Sequence, residues 1–195
     1  MNLPNKITMV RIFLSVVLLV LLIIPVSFPT YLWFGKIQVS LKYIIGGVVF
    51  LIASLTDSLD GYLARKHHQV TDFGKVMDAI ADKVLVNGVL IALACDGLIN
   101  VAVPVIIISR DIFVDSIKMV AGSKGKAVGA SVLGKLKTIC MMTGVTLVFF
   151  YNMPFAFIGS GIRIDYLFVY VATIMSIVSG CLYWNASKDL VLSEM

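Results

Sequence analysis

Residues 57–82 read DSLDGYLARKHHQVTDFGKVMDAIAD. On a helix, Asp57 and Asp60 are three apart and share a face. Gly61 lies four residues after Asp57, and Ala64 four after Asp60, so small side chains neighbour the carboxylates. On a second helix, Gly74, Asp78 and Asp82 recur at intervals of four, with Ala81 beside Asp78. The link from Lys66 to Phe73 is short and polar, so the two helices are expected to form a hairpin that brings their carboxylate faces together. His67 and His68 fall in that link and are expected to be solvated rather than metal ligands.

The flanking apolar runs decide where this hairpin lies. Only 14 uncharged residues separate Lys42 from Asp57, and the run from Lys83 to Asp96 is similarly short. Neither can cross ~30 Å of hydrocarbon alone. To span, the second helix must continue through Asp57 and Asp60, and the third must begin before Asp82. Four aspartates then stand at or near membrane depth.

The composition supports a membrane setting. Of 195 residues, 59% are hydrophobic and 14% charged, against roughly a quarter charged in soluble domains. Nucleic-acid binders, disordered tails, disulfide scaffolds and coiled coils are unlike this. About six spans of ~20 residues leave no room for a soluble domain as well. The chain therefore reads as one all-α integral membrane domain, residues 1–195, with six transmembrane helices. The first is expected over Thr8–Ile24, uncleaved, with an exit loop marked by Pro25 and Pro29. The fourth runs from Gly97 into Arg110 and Asp111, the fifth from Thr138 to Ile162, and the sixth from Tyr166 to Ser187. Thirteen of the 16 basic residues fall on the N-terminal side, and Lys36, Lys42 and Arg163 on the other. That bias predicts a cell membrane protein with both termini in the cytoplasm. Cys95, Cys140 and Cys181 sit apart in apolar runs and are expected to be buried free thiols.

Four converging carboxylates repel. Two charges 4 Å apart cost ~4 kcal/mol at an effective dielectric of ~20, and each aspartate deep in a bilayer costs ~2.5–3.5 kcal/mol more. Arg65, Lys75 and Lys83 are near in sequence but do not share the carboxylate faces well. Divalent cations offset the charge better. A set of hard oxygen ligands without His or Cys suits Mg²⁺, Mn²⁺ or Ca²⁺. Four carboxylates can hold two ions, and two-ion sites most often act on phosphoryl oxygens. Helix caps or ordinary ion pairs would explain one such aspartate, but not four at these spacings.

The pattern D-x2-D-G-x2-A-R-x8-G-x3-D-x3-D resembles the signature of the CDP-alcohol phosphotransferases at every fixed position. The start, Asn2-Leu-Pro4-Asn5-Lys-Ile-Thr8-Met-Val-Arg11, and the stretch Gly134-Lys135-Leu-Lys137-Thr138 are similar to the phosphatidylglycerophosphate-forming bacterial branch. The resemblance implies that Asp57, Asp60, Asp78 and Asp82 bind two divalent ions, Mg²⁺ or Mn²⁺. It implies that Asp60, Gly61, Ala64, Arg65, Gly74 and Asp78 bind CDP-diacylglycerol, and that Asp82 is also the general base. A homodimer is implied as well. The implied reaction is attack by the acceptor hydroxyl on the diacylglycerol-bearing phosphorus, with CMP leaving.

The acceptor side is read from charge. No acidic residue occurs between Asp115 and Asp165, an interval holding Lys118, Lys124, Lys126, Lys135 and Lys137. A basic, glycine-rich segment suits a phosphorylated acceptor such as glycerol 3-phosphate. Basic cytoplasmic loops are common in any case. Arg110, expected to need a ligand phosphate because Asp111 points elsewhere, joins Lys135, Lys137, Thr8 and Arg11 as the candidate acceptor set. Other acceptors, inositol phosphate or phosphatidylglycerol, and a cation transporter built on the aspartates are the competing possibilities.

Overall fold

The computed structural model describes residues 3–33, 37–66, 72–124, 132–157 and 163–192. Within those segments the side chains of residues 3–4, 58–66, 72–73, 75 and 189–192 are not described. Six α-helices are present: α1 (Leu3–Ile23), α2 (Leu41–Lys66), α3 (Asp72–Cys95), α4 (Ala102–Ser123), α5 (Val132–Phe149) and α6 (Ile164–Leu192). As expected, α2 runs on through Asp57 and Asp60, and α3 begins well before Asp82. α1 starts earlier than Thr8, and α5 earlier than Thr138, because charged and polar residues at a helix end do not stop a helix that neighbours support. The expectation of an all-α chain needs one correction. A short antiparallel hairpin, β1 (Thr30–Trp33) and β2 (Ile37–Ser40), follows α1, with Thr30 opposite Ser40.

Among the described residues, three helices are long and apolar enough to cross a membrane: Asn5–Ile23, Val132–Phe149 and Ile164–Lys188. Charges within α3 and α4 keep them out of that class, and the side chains of α2 are described only as far as Asp57. Large apolar side chains lie outward along the helices, among them Phe13, Ile23, Met119 and Ile139. Such a surface is what a membrane protein presents to lipid.

The packing order differs from a simple hairpin pairing of α2 with α3. α1 packs against both, while α2 and α3 barely touch each other. The reason lies in one stripe of α1. Thr8, Arg11, Ser15, Leu18 and Leu22 recur every three or four residues and are all buried. The Leu19 side chain meets Gly88 of α3, where a Cβ would stand 2.7 Å from it. Leu18 and Leu22 fit beside Gly46 of α2. Small residues at these crossings let α1 enter between the two helices. The core continues through Phe50, Leu85, Leu90, Leu93 and Phe149, with the Phe50 and Phe149 rings 5.8 Å apart.

α5 and α6 form the closest helix pair. A Cβ on Gly144 would lie 2.9 Å from the Val169 backbone nitrogen. At the end of the bundle away from the aspartates, Lys42 Nζ and Tyr43 Oη of α2 donate to Asp96 Oδ2, just beyond α3, at 2.9 and 2.8 Å. Asn152 Oδ1 accepts from the Asp165 backbone N–H at 3.1 Å, joining the α5–α6 turn to the start of α6. The cysteines are free, but they are not uniformly buried: Cys95 and Cys181 are exposed and Cys140 is intermediate. An apolar outer face accommodates a thiol as readily as a core does, so the apolar runs around them did not imply burial.

Candidate active site

α1 supplies the residue that joins the motif helices. Arg11 is fully buried, and its guanidinium pairs with Asp57 of α2 and Asp78 of α3. Ser15 Oγ donates to the Arg11 carbonyl at 2.8 Å and helps fill the same stripe. The expectation that no nearby cation shares the carboxylate faces is therefore corrected. Arg11 is distant in sequence but stands between the two helices. Thr8 is buried one turn before it. Arg11, expected with Thr8 on the acceptor side, sits against Asp57 and Asp78. The signal was available in the sequence: a polar stripe of Thr8, Arg11 and Ser15 on an otherwise apolar helix.

The convergence of Asp57 and Asp78 on one cation tests the fit to divalent ions. Carboxylates from two separate helices surround a single positive charge, and every ionisable donor of the motif is a hard oxygen. These residues suit Mg²⁺ or Mn²⁺. The helical backbone carries Asp60, Gly61, Ala64 and Arg65 along the last turns of α2. Their side chains lie outside the described residues, as do His67 and His68. Gly74 is partly buried in the first turn of α3. Among the described residues, no three carboxylate, imidazole or thiol groups gather on one point.

Asp82 occupies a second location. One turn beyond Asp78, it lines a cleft between α3, α4 and α5 with about 370 Å³ of empty space, open mouth included. Lys83, Asn87, Asp111, Lys137 and Thr138 share the lining, and Val86, Ile107, Met141 and Met142 close it on the apolar side. Lys83 pairs across the α3–α4 interface with Asp115. Lys137 is buried in the first half of α5, and its Nζ donates to Asp111 Oδ1 at 2.9 Å.

Arg110 corrects a further expectation. Its Nη1 donates to Asp111 Oδ1 at 3.0 Å, so its sequence neighbour does not point elsewhere. Side chains adjacent in sequence can still meet through their ends, which a comparison of Cα directions alone misses. Its Nε donates to the Ser176 carbonyl at 3.1 Å and its Nη2 to Ser179 Oγ at 2.5 Å, both on α6. The stem passes over Gly180, where a Cβ would lie 3.2 Å from Arg110 Cγ, and the charge faces the Tyr183 ring. Arg110 lines a wide apolar groove between α4 and α6, not the cleft that holds Asp82. Lys135 is exposed at the start of α5. Of the predicted acceptor residues, Lys137 alone shares the cleft lining with Asp82, while Arg11 on the α1 side also lies within reach of the Asp82 charge. Asp111 was not among the candidates.

Comparison with known proteins agrees with the motif. The family model for CDP-alcohol phosphatidyltransferases matches residues 1–182. The chain is 36% identical over 191 residues to a Bacillus subtilis (strain 168) CDP-diacylglycerol–glycerol-3-phosphate 3-phosphatidyltransferase, covering 96% of this chain and 97% of that protein. It is 36% identical over 193 residues to the enzyme of the same name from Mycoplasma genitalium, covering 93% and 82%. A Rickettsia typhi protein, again of that name, is 32% identical over 191 residues, covering 96% and 97%.

Proposed function

The chain belongs to the CDP-alcohol phosphatidyltransferase family, and from that premise we propose that it transfers the phosphatidyl group of CDP-diacylglycerol to glycerol 3-phosphate. The products are phosphatidylglycerophosphate and CMP. The relatives that match over nearly their whole length carry this activity in their names. Family membership also sets aside the cation-transporter alternative.

The observation that carries the mechanism is the division of the aspartates. Asp57 and Asp78 gather on a cation at α1, whereas Asp82 lines the neighbouring cleft with Lys137. Asp57, Asp60, Asp78 and Asp82 would hold two Mg²⁺ or Mn²⁺ ions, which supply charge neutralisation for the diphosphate. Gly61, Ala64 and Gly74 leave space for the cytidine end, and Arg65 supports it. Lys137 draws the acceptor phosphate into the cleft, and exposed Lys135 adds positive charge at the start of α5. Asp82 takes the proton from the acceptor hydroxyl as that oxygen bonds to the diacylglycerol-bearing phosphorus. The bond from that phosphorus to the CMP oxygen breaks, and CMP leaves with the electron pair. CMP is a good leaving group, so positioning and electrostatics carry most of the rate.

The setting is a six-span protein in the cytoplasmic membrane, with both termini and the site facing the cytoplasm. A lipid substrate and a water-soluble one then meet at the interface. The family resemblance supports a homodimer. The deciding experiment supplies the purified protein with CDP-diacylglycerol and Mg²⁺ and follows CMP release. Glycerol 3-phosphate should support release, while inositol phosphate and phosphatidylglycerol should not. Chelation should abolish it, and Mg²⁺ or Mn²⁺ should restore it. Full turnover in excess chelator would refute the two-ion site.

A further inference from the structure

The cleft contains two charged residues that the proposed reaction has not used: Lys83, which pairs with Asp115, and Asp111. Asp111 lines it together with Asp82 and Lys137. Two cations end on the same atom, Asp111 Oδ1: Lys137 Nζ at 2.9 Å from α5 and Arg110 Nη1 at 3.0 Å from α4. Arg110 is anchored in turn to α6 by Ser176 and Ser179. A continuous chain of polar contacts therefore runs from α6 through Arg110 and Asp111 to the buried Lys137 ammonium.

Each link has a physical reason. A buried lysine has a flexible four-carbon stem and three donors, so it has no fixed position of its own. A buried ammonium also needs an anion beside it to offset its lost hydration. Asp111 supplies that anion. Asp111 sits in mid-helix, and Arg110, held on three sides, keeps its carboxylate from rotating away. Charge-assisted bonds of this length are short and directional. Their combined effect is to place one full positive charge at a defined point in the cleft wall.

We propose that Asp111 is a positioning residue for the acceptor, acting through Lys137, with Arg110 as its brace from α6. Arg110 on this account does not touch the acceptor. The proposal rests on the assignment of Lys137 to the acceptor phosphate. Loss of the Asp111 charge frees the ammonium to move and weakens its hold on a phosphate. It does not disturb Asp57 or Asp78, which lie toward α1. The acceptor KM should therefore change without a matching change in kcat or in the KM for CDP-diacylglycerol.

The test uses the full chain in lipid or detergent with Asp111→Asn, Asp111→Glu, Ser179→Ala and Lys137→Ala. Asp111→Asn should raise the glycerol 3-phosphate KM about tenfold, with kcat within threefold and the CDP-diacylglycerol KM unchanged. Asp111→Glu should recover most of that loss. Ser179→Ala, remote from the cleft, should raise the same KM about two- to threefold. A general loss of packing would not produce this split or the rescue. If Lys137→Ala leaves the acceptor KM unchanged, the assignment of Lys137 is wrong and the proposal falls with it. If Lys137→Ala raises that KM but Asp111→Asn leaves it normal or lowers it, only the positioning role is overturned. Should Asp111→Asn not fold, Ser179→Ala decides: an unchanged acceptor KM there overturns the proposal.

Discussion

Asp82→Asn keeps the shape of the side chain and one neutral oxygen but removes the proton acceptor. The expected outcome is retained CDP-diacylglycerol binding at weakened affinity, with turnover down at least ~10²-fold, the lower end for loss of a positioned base. Asp57→Asn should lose nucleotide binding as well, because Asp57 belongs to the cluster on the α1 side. Measuring binding and CMP release on both variants separates these outcomes. Near-normal turnover by Asp82→Asn would end the general-base assignment. Arg11→Gln tests the other end of the site. It removes the cation shared by Asp57 and Asp78, so those carboxylates repel. The thermal midpoint should fall, and fall further in chelator than in excess Mg²⁺, since divalent ions can replace the lost charge. A drop equal in both conditions would separate Arg11 from the metal cluster. At this scale the sequence was most legible where spacing alone carried meaning. The spacing sets Asp57 and Asp78 on the facing sides of α2 and α3, and both meet Arg11 there. Asp111 was not legible, because its partners Lys137, Arg110 and, through it, Ser179 come from three different helices.

Among the helices, the pair α5 and α6 is the most sensitive to a single methyl group. A Cβ on Gly144 meets backbone at 2.9 Å, and backbone cannot swing aside as a side chain can. Gly144→Ala should therefore destabilise the protein by about 1–3 kcal/mol, read as a lower thermal midpoint or lower detergent resistance. Gly180→Ala should be milder, because the Arg110 stem opposite it is a flexible chain. An equal or larger loss for Gly180→Ala would reverse that ranking. The continuation of α2 and α3 through their aspartates followed from the short hydropathy runs and the thickness of a bilayer, but the end of α5 did not: it stops at Phe149, well inside the uncharged run from Thr138 to Ile162. The insertion of α1 between α2 and α3 did not follow either. Periodicity places Thr8, Arg11 and Ser15 on one face but does not say which helices that face will meet. The short β1–β2 hairpin was likewise unreadable, because four-residue strands between Pro29 and α2 carry little pattern.

For the molecule as a whole, the charge distribution predicts its sidedness. In a background with Cys95, Cys140 and Cys181 replaced by Ser, a cysteine at Gln38 should react with an impermeant thiol reagent on intact cells. A cysteine at Lys188 should react only after lysis. Gln38 lies in β2 and is exposed, and Lys188 is exposed near the end of α6. Labelling of Lys188→Cys from outside would invert the proposed topology. The position of α1 has one more consequence, in time rather than in space. A chain is made from its N-terminus, so Arg11 leaves the ribosome before any of the four motif aspartates. On the proposed six-span topology, the positive charge that receives Asp57 and Asp78 is already there when α2 and then α3 enter the membrane. The acidic helices never have to wait in lipid for a counter-charge still to be synthesised.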